Sequence, residues 1–190
     1  MSKFKVAMCA LAISLASGYV QAAEPVPPAP VAADTQGVVT FTGKLIAETC
    51  IVDDTSKDIQ VTLPTLSTTS LAAAGDEGGS STFTINVKSC PAEITKVAAH
   101  FEAIDATKFN AVTGNLINQD LEADGGATNV EVRLFEADGT VIPVGSTGSS
   151  FAVDATDGTA ALTYVGAYYA TAATTAGTVK AQVQYTLAYP

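Results

Sequence analysis

Val179-Lys180-Ala181-Gln182-Val183-Gln184-Tyr185-Thr186-Leu187-Ala188-Tyr189 alternates along its whole length between apolar and mainly polar side chains. Successive side chains of an extended strand point to opposite faces. This period of two therefore puts Val179, Ala181, Val183, Tyr185, Leu187 and Tyr189 on one face and Lys180, Gln182, Gln184, Thr186 and Ala188 on the other. The stretch reads as a strand with one side on a core and the other in water.

The same period recurs upstream in shorter runs, each enriched in β-branched or aromatic residues. Their inward residues are Val39 and Phe41 with Leu45 beyond Gly43; Ile59, Val61 and Leu63, stopping at Pro64; Phe83, Ile85 and Val87; Val97, Ala99 and Phe101; Val130, Val132 and Leu134; and Leu162 and Tyr164 in a segment reaching Tyr169. Helical spacing is hard to find. Gly75–Ser81, Asp124–Thr128 and Gly145–Ser150 are clusters of turn-forming residues between the runs. Roughly seven short strands separated by turns predict an all-β, antiparallel sandwich of immunoglobulin type, although no tryptophan is present to fill the core as in antibody domains.

The N-terminus reads as an export signal. Lys3 and Lys5 give a basic start, Val6–Leu15 is almost unbroken apolar sequence, and Val20-Gln21-Ala22 offers a small-residue cleavage site. Residues 1–22 are thus expected to be a signal peptide, with a mature chain starting near Ala23. Losing two lysines moves the formal charge from −10 to −12, an acidity that disfavours nucleic acid and anionic membrane as partners. Cys9 leaves with the leader, so Cys50 and Cys90 remain and are expected to pair in an oxidising compartment. A bridge closing a loop of roughly 40 residues stabilises by about 4 kcal/mol in the chain-entropy model.

Residues 23–33 carry Pro25, Pro27, Pro28 and Pro30, which forbid helix and favour an extended tail. Residues 34–44 then alternate like a strand up to Gly43. On the residues alone, one long strand with a bulge at Gly43 and two abutting strands both remain open.

The order of these features resembles the major subunits of type 1-like fimbriae assembled by the chaperone-usher route. The resemblance is carried by the leader, by Gly37-Val38-Val39-Thr40-Phe41-Thr42-Gly43-Lys44-Leu45, and by Cys50 followed by Ile51-Val52-Asp53. It continues through the step to Cys90, Asn129–Leu134 before Asp138-Gly139, Tyr168-Tyr169-Ala170-Thr171, and the C-terminal strand with its penultimate Tyr189.

The resemblance implies an immunoglobulin-like sandwich lacking its final strand, spanning residues 45–190, and a donor-strand extension at 34–44. The groove beside the C-terminal strand, lined by Val183, Tyr185, Leu187 and Tyr189, is first filled by a strand of a periplasmic pilus chaperone. At the outer-membrane usher, the donor strand of the next identical subunit replaces it, in the manner of β-strand addition. In this chain Phe41, Val39 and Gly37 are the expected inward donor positions, with Thr35 leading. The product is a fimbrium on the bacterial surface that supports cell adhesion, with minor or tip pilins as further partners and a periplasmic stage during assembly. The alternatives are a minor or tip pilin and a stand-alone exported adhesion module. Ala33, Asp34 and Thr35 depart from the family by offering no bulky hydrophobe at the leading end, and Pro190 is a further departure.

Neither catalysis nor a cofactor is expected. The chain holds no GxSxG, P-loop or HExxH pattern and a single histidine, His100, within an apolar alternating run. Asp120-Leu121-Glu122-Ala123-Asp124-Gly125 with Glu131 approaches a calcium loop. Glu122 is the wrong residue type at its position, and Glu131 falls on an expected strand rather than a helix, so no metal site is expected.

Overall fold

A computed structural model describes residues 38–46 and 48–190. The expected leader, the proline-rich tail, Thr35 and Gly37 lie outside the described residues. The chain divides between Lys44 and Leu45. On the N-terminal side, Val38–Lys44 has no strand assignment, and Val39 and Phe41 are 77% and 91% exposed. The strand expected over Val39–Leu45 is therefore not formed, as an extended segment without a ladder partner gains nothing from β geometry.

On the other side, ten strands and no α-helix occur among the described residues. They are β1 (Ile51–Val52), β2 (Glu77–Lys88), β3 (Lys96–Glu102), β4 (Phe109–Asn110), β5 (Asn115–Ile117), β6 (Val130–Glu136), β7 (Val141–Ile142), β8 (Phe151–Ala152), β9 (Ala160–Ala170) and β10 (Gln184–Ala188). The larger sheet runs β1-β2-β9-β6-β5-β4 with β7 also on β6, and the smaller runs β10-β3-β8. Every pairing between these strands is antiparallel. This is the expected all-β sandwich.

Alternation explains the core. Ile85 and Val87 of β2, Val97, Ala99 and Phe101 of β3, Leu134 of β6, and Leu162 and Tyr164 of β9 are all buried in one cluster. Their registers bring Ile85 opposite Leu162 and Phe83 opposite Tyr164. Tyr164 stands at the centre, edge-on to Phe101 at 5.0 Å and to Phe151 at 5.5 Å, in the T-shaped geometry aromatic pairs prefer. Its hydroxyl accepts from the Ala99 amide at 3.1 Å and donates to the Ser149 carbonyl at 3.2 Å. One side chain of the larger sheet thus satisfies backbone of the smaller sheet inside the core. Gly148 makes room for it, since a Cβ there would lie 2.5 Å from Tyr164 Cε1.

The structure corrects two expected strands. Ile59, Val61 and Leu63 lie in a segment with no strand assignment, and β10 begins only at Gln184, leaving Val179–Val183 outside it. Both segments are apolar on alternate positions yet lack a neighbouring ladder. Period two reports the burial of side chains; strand assignment also needs backbone partners. The strands β1, β4, β5, β7 and β8 were not anticipated, because two or three residues are too few to show a period.

Truncating the centre tests this account. Tyr164→Phe leaves the buried Ala99 amide without its acceptor and should cost about 1–3 kcal/mol in urea unfolding. Phe101→Ala removes a fully buried ring and should cost more, about 3–5 kcal/mol. A smaller loss for Phe101→Ala than for Tyr164→Phe would show that the aromatic cluster does not hold the sheets together.

Candidate functional site at an unpaired strand edge

One edge of β10 pairs with β3 over five residues, Gln184 with Glu102 through Ala188 with Ala98. Its other edge pairs with nothing among the described residues. The side chains there tell the same story. Tyr185 sits opposite Phe101 and Leu187 opposite Ala99. Phe101 and Ala99 are wholly buried, whereas Tyr185 and Leu187 are only half-buried, as are Val183 and Tyr189. All four nonetheless pack on the main core. They form the floor of a core that is covered on one side only.

The chain facing this edge starts at the disulfide. Cys50 is bonded to Cys90, β1 pairs Ile51 with Lys88 and Val52 with Val87, and the Asp53 amide donates to the Asn86 carbonyl at 2.9 Å. A 3-10 turn at Asp54–Ser56 follows, capped by Asp53, whose carboxylate accepts from the Thr55 amide. Ser56 is buried and its hydroxyl accepts from the Asn86 amide at 2.9 Å. Residues 50–56 are thereby stitched to β2. Beyond Ser56 the stitching stops: among the described residues no backbone-to-backbone hydrogen bond involves residues 57–66. A side-chain bond from the Ser81 hydroxyl to the Thr62 carbonyl at 2.8 Å ties the stretch to β2. Ile59 packs on the main core, Leu66 on a second cluster with Leu71 and Ala170, and Val61 is 40% exposed.

Two tyrosines, Tyr185 in β10 and Tyr189 just past its end, reach residues 50–56. The Tyr185 hydroxyl donates to the Ser56 carbonyl at 2.5 Å, and the Tyr189 hydroxyl accepts from the Cys50 amide at 3.0 Å. Burial of Tyr185 raises the pKa of its phenol, which keeps the hydroxyl a donor. The result is a groove beside the free edge of β10, floored by apolar side chains, along which the backbone of β10 has no partner strand among the described residues.

Of the residues singled out from sequence, Val183, Tyr185, Leu187 and Tyr189 are brought together in this groove. Cys50 and Cys90 meet at its end. Val39 and Phe41 are exposed in the N-terminal segment. Ser56 was not foreseen, since a lone serine in a polar stretch carries no signal of burial.

Other polar groups are occupied elsewhere. The buried Glu131 carboxylate accepts from Asn110 (2.7 Å), Thr113 (2.7 Å) and Asn115 (2.9 Å), so its partners come from β4, β5 and the turn between them rather than from the acidic loop. Arg133 lies over the Tyr169 ring at 3.7 Å and donates to Glu77 and to Asn115, fastening the larger sheet across its width. His100 Nδ1 is 2.8 Å from the Thr147 hydroxyl. No group of three or more metal-ligating side chains is gathered among the described residues.

Comparison with known proteins gives a consistent result. A family model described as fimbrial protein matches residues 39–190. The major fimbrial subunit SMF-1 of Stenotrophomonas maltophilia is 39% identical over 170 residues, covering 85% of this chain and 97% of that protein. The F17 fimbrial protein of Escherichia coli is also 39% identical, over 161 residues, covering 80% and 87%. Among solved structures, the P pilus rod subunit PapA is similar in fold, with a TM-score of 0.59 at 20% identity over 75% of this chain and all of that one. A subunit of a chaperone-usher pilus gives 0.58 at 23% identity, over 85% and 100%.

The groove wall carries a pH signature. Lys88 Nζ, at 2.9 Å, and then the Thr55 amide and hydroxyl hold the Asp53 carboxyl far below the usual carboxylate range. A depressed acid stabilises the fold fully above its ordinary pKa of about 3.9, and that contribution fades as pH falls towards the lower folded value. Melting temperature should therefore drop on acidification below about pH 4, and less so in Asp53→Asn, which is already without the charge. Parallel curves for the two proteins between about pH 5 and 2 would assign the acid sensitivity to other groups.

Proposed function

Because this chain belongs to the fimbrial protein family and is a structural subunit of a surface fimbria, we propose that it polymerises by donor-strand exchange and acts as building material, not as a catalyst. The observation that carries this reading is the free edge of β10 above a half-buried apolar row. Such an edge invites another strand. A strand laid against it would pair its backbone with β10 and insert alternate side chains over Val183, Tyr185, Leu187 and Tyr189.

The donor we assign is residues 34–44 of the neighbouring copy, following the cleaved leader and the proline-rich tail. Phe41 and Val39 enter the groove, Gly37 passes where the backbones approach closely, and Thr35 leads. Burying Phe41 and Val39 contributes about 1.5–3 kcal/mol each on the transfer scale, before ordering costs. The exposure of both side chains in the N-terminal segment supports their availability to another copy. Before exchange, a strand of a periplasmic chaperone covers the same edge, and the outer-membrane usher is where one strand replaces the other. A shaft subunit fits better than a tip subunit, since a subunit at the very tip has no neighbour for its donor strand to complete.

Two constructions test the assignment. Deleting residues 23–42 should give a subunit that still binds its chaperone and extends no fibre; fibres of normal length in electron micrographs would refute the donor. Phe41→Asp places a charge in an apolar groove and should reduce pilus number without preventing export. Unchanged pilus number would overturn the register that points Phe41 inward.

A further inference from the structure

We infer that the side-chain amide of Asn118 stands in for a strand residue and prolongs the acceptor edge beyond β10, which makes Asn118 a positioning residue for strand uptake. This deepens the donor-strand reading above and rests on it.

Hydrogen bonds show which way the backbone groups of β10 point. In β3, the Phe101 amide and carbonyl and the Ala99 carbonyl bond to residues 145–148, so the alternate residues Ala98, His100 and Glu102 turn theirs towards β10. Their partners there are Ala188, Thr186 and Gln184. Tyr185 and Leu187 therefore turn their backbone groups to the free edge. The same parity holds upstream of β10. The Thr178 amide donates to the Gly125 carbonyl at 3.0 Å, the Thr178 carbonyl accepts from the Ala127 amide at 2.9 Å, and the Lys180 carbonyl accepts from the Gln119 amide at 2.7 Å. Val179, Ala181 and Val183 make no backbone-to-backbone bond among the described residues.

Asn118, the residue after β5, completes the pattern. Its Nδ2 donates to the Thr178 carbonyl at 3.0 Å and its Oδ1 accepts from the Lys180 amide at 2.9 Å. A carbonyl and an amide two residues apart on one side of an extended chain are what a single residue of a parallel neighbour engages. One side chain thus replaces a peptide group. Its remaining capacity is filled within its own loop, by the Ala127 carbonyl at 2.9 Å and the Asp120 amide at 3.1 Å, so two carbonyls and two amides fix which end of the Asn118 amide faces which. A Cβ on Gly177 would collide with the Ala127 amide, so glycine lets the loop and the approach to β10 close up.

The side chains follow the same course. From Thr178 to Leu187 exposed and half-buried positions alternate without a break at the start of β10. Val179 packs on the second cluster and Val183 on the main core. The edge open to a strand thus runs from Val179 to Tyr189, as many residues as the assigned donor at 34–44. β3 backs one half of it, and Asn118 with its loop backs the other.

Fluorescent synthetic peptides of residues 34–44, 37–44 and 34–41 test the role by their dissociation from the full-length wild-type subunit and from Asn118→Ala and Asn118→Asp. From wild type, each shortened peptide should leave about tenfold faster than the complete one. In both variants, the shortening that clears residues 179–183 should cost about twofold or less, while the shortening at the other end keeps its cost. Ratios unchanged by the variants would overturn the inference. So would an equal speeding of all three peptides, which is what a general loss of stability produces. Amide hydrogen exchange on wild type needs no variant: the Lys180 amide should be protected with and without peptide 34–44, and the Val179 and Ala181 amides only with it. Val179 and Ala181 amides left unprotected in the peptide-bound form would also overturn it. A wild-type subunit that takes up none of the peptides would instead overturn the donor-strand reading itself.

Discussion

Backbone hydrogen bonding is the constraint on which this molecule turns. Each residue of a strand brings an N–H and a C=O that must find partners, and β10 finds them on one edge only. Residues 57–66 make no backbone-to-backbone hydrogen bond among the described residues. A sandwich with one edge in this condition has an unfinished core, because the same missing strand that would satisfy the backbone would also cover Tyr185 and Leu187. Polar and apolar deficits coincide at one groove, so a single incoming strand removes both.

The rest of the sandwich is arranged to hold that groove still. Cys50–Cys90 ties the wall to the end of β2, and Asp53 fixes Lys88 and caps the turn that delivers Ser56. Tyr164 joins the two sheets through Ala99 and Ser149, so β3, the partner of β10, is anchored from below. Arg133, Glu77, Asn115 and Glu131 fasten the opposite face of the molecule's larger sheet with charge-assisted bonds. Rigidity around an incomplete edge is what separates a specific acceptor from an aggregation-prone one, because a fixed groove accepts a strand of the right pattern and register.

Acidity suits the same purpose. A formal charge of −10 keeps like copies apart in solution, yet the groove floor is built from uncharged side chains. Association is therefore directed to the place where desolvation costs least and the hydrophobic gain is greatest.

Much of this was legible in the sequence. The alternation within Gln184–Ala188, with similar runs at Phe83–Val87, Val97–Phe101 and Leu162–Tyr164, specified strands with one apolar face, because side-chain direction in an extended chain is a local property. The leader and the two remaining cysteines pointed to export and a disulfide for equally local chemical reasons. Tertiary structure alone decided which edge lacks a partner, since pairing depends on where distant segments come to rest. It denied Ile59–Leu63 and Val179–Val183 the strand state their patterns suggested, and it buried Ser56 beneath a tyrosine 129 residues away. Sequence periodicity records which way side chains face; hydrogen bonds between segments far apart in the chain exist only once the fold has brought them together.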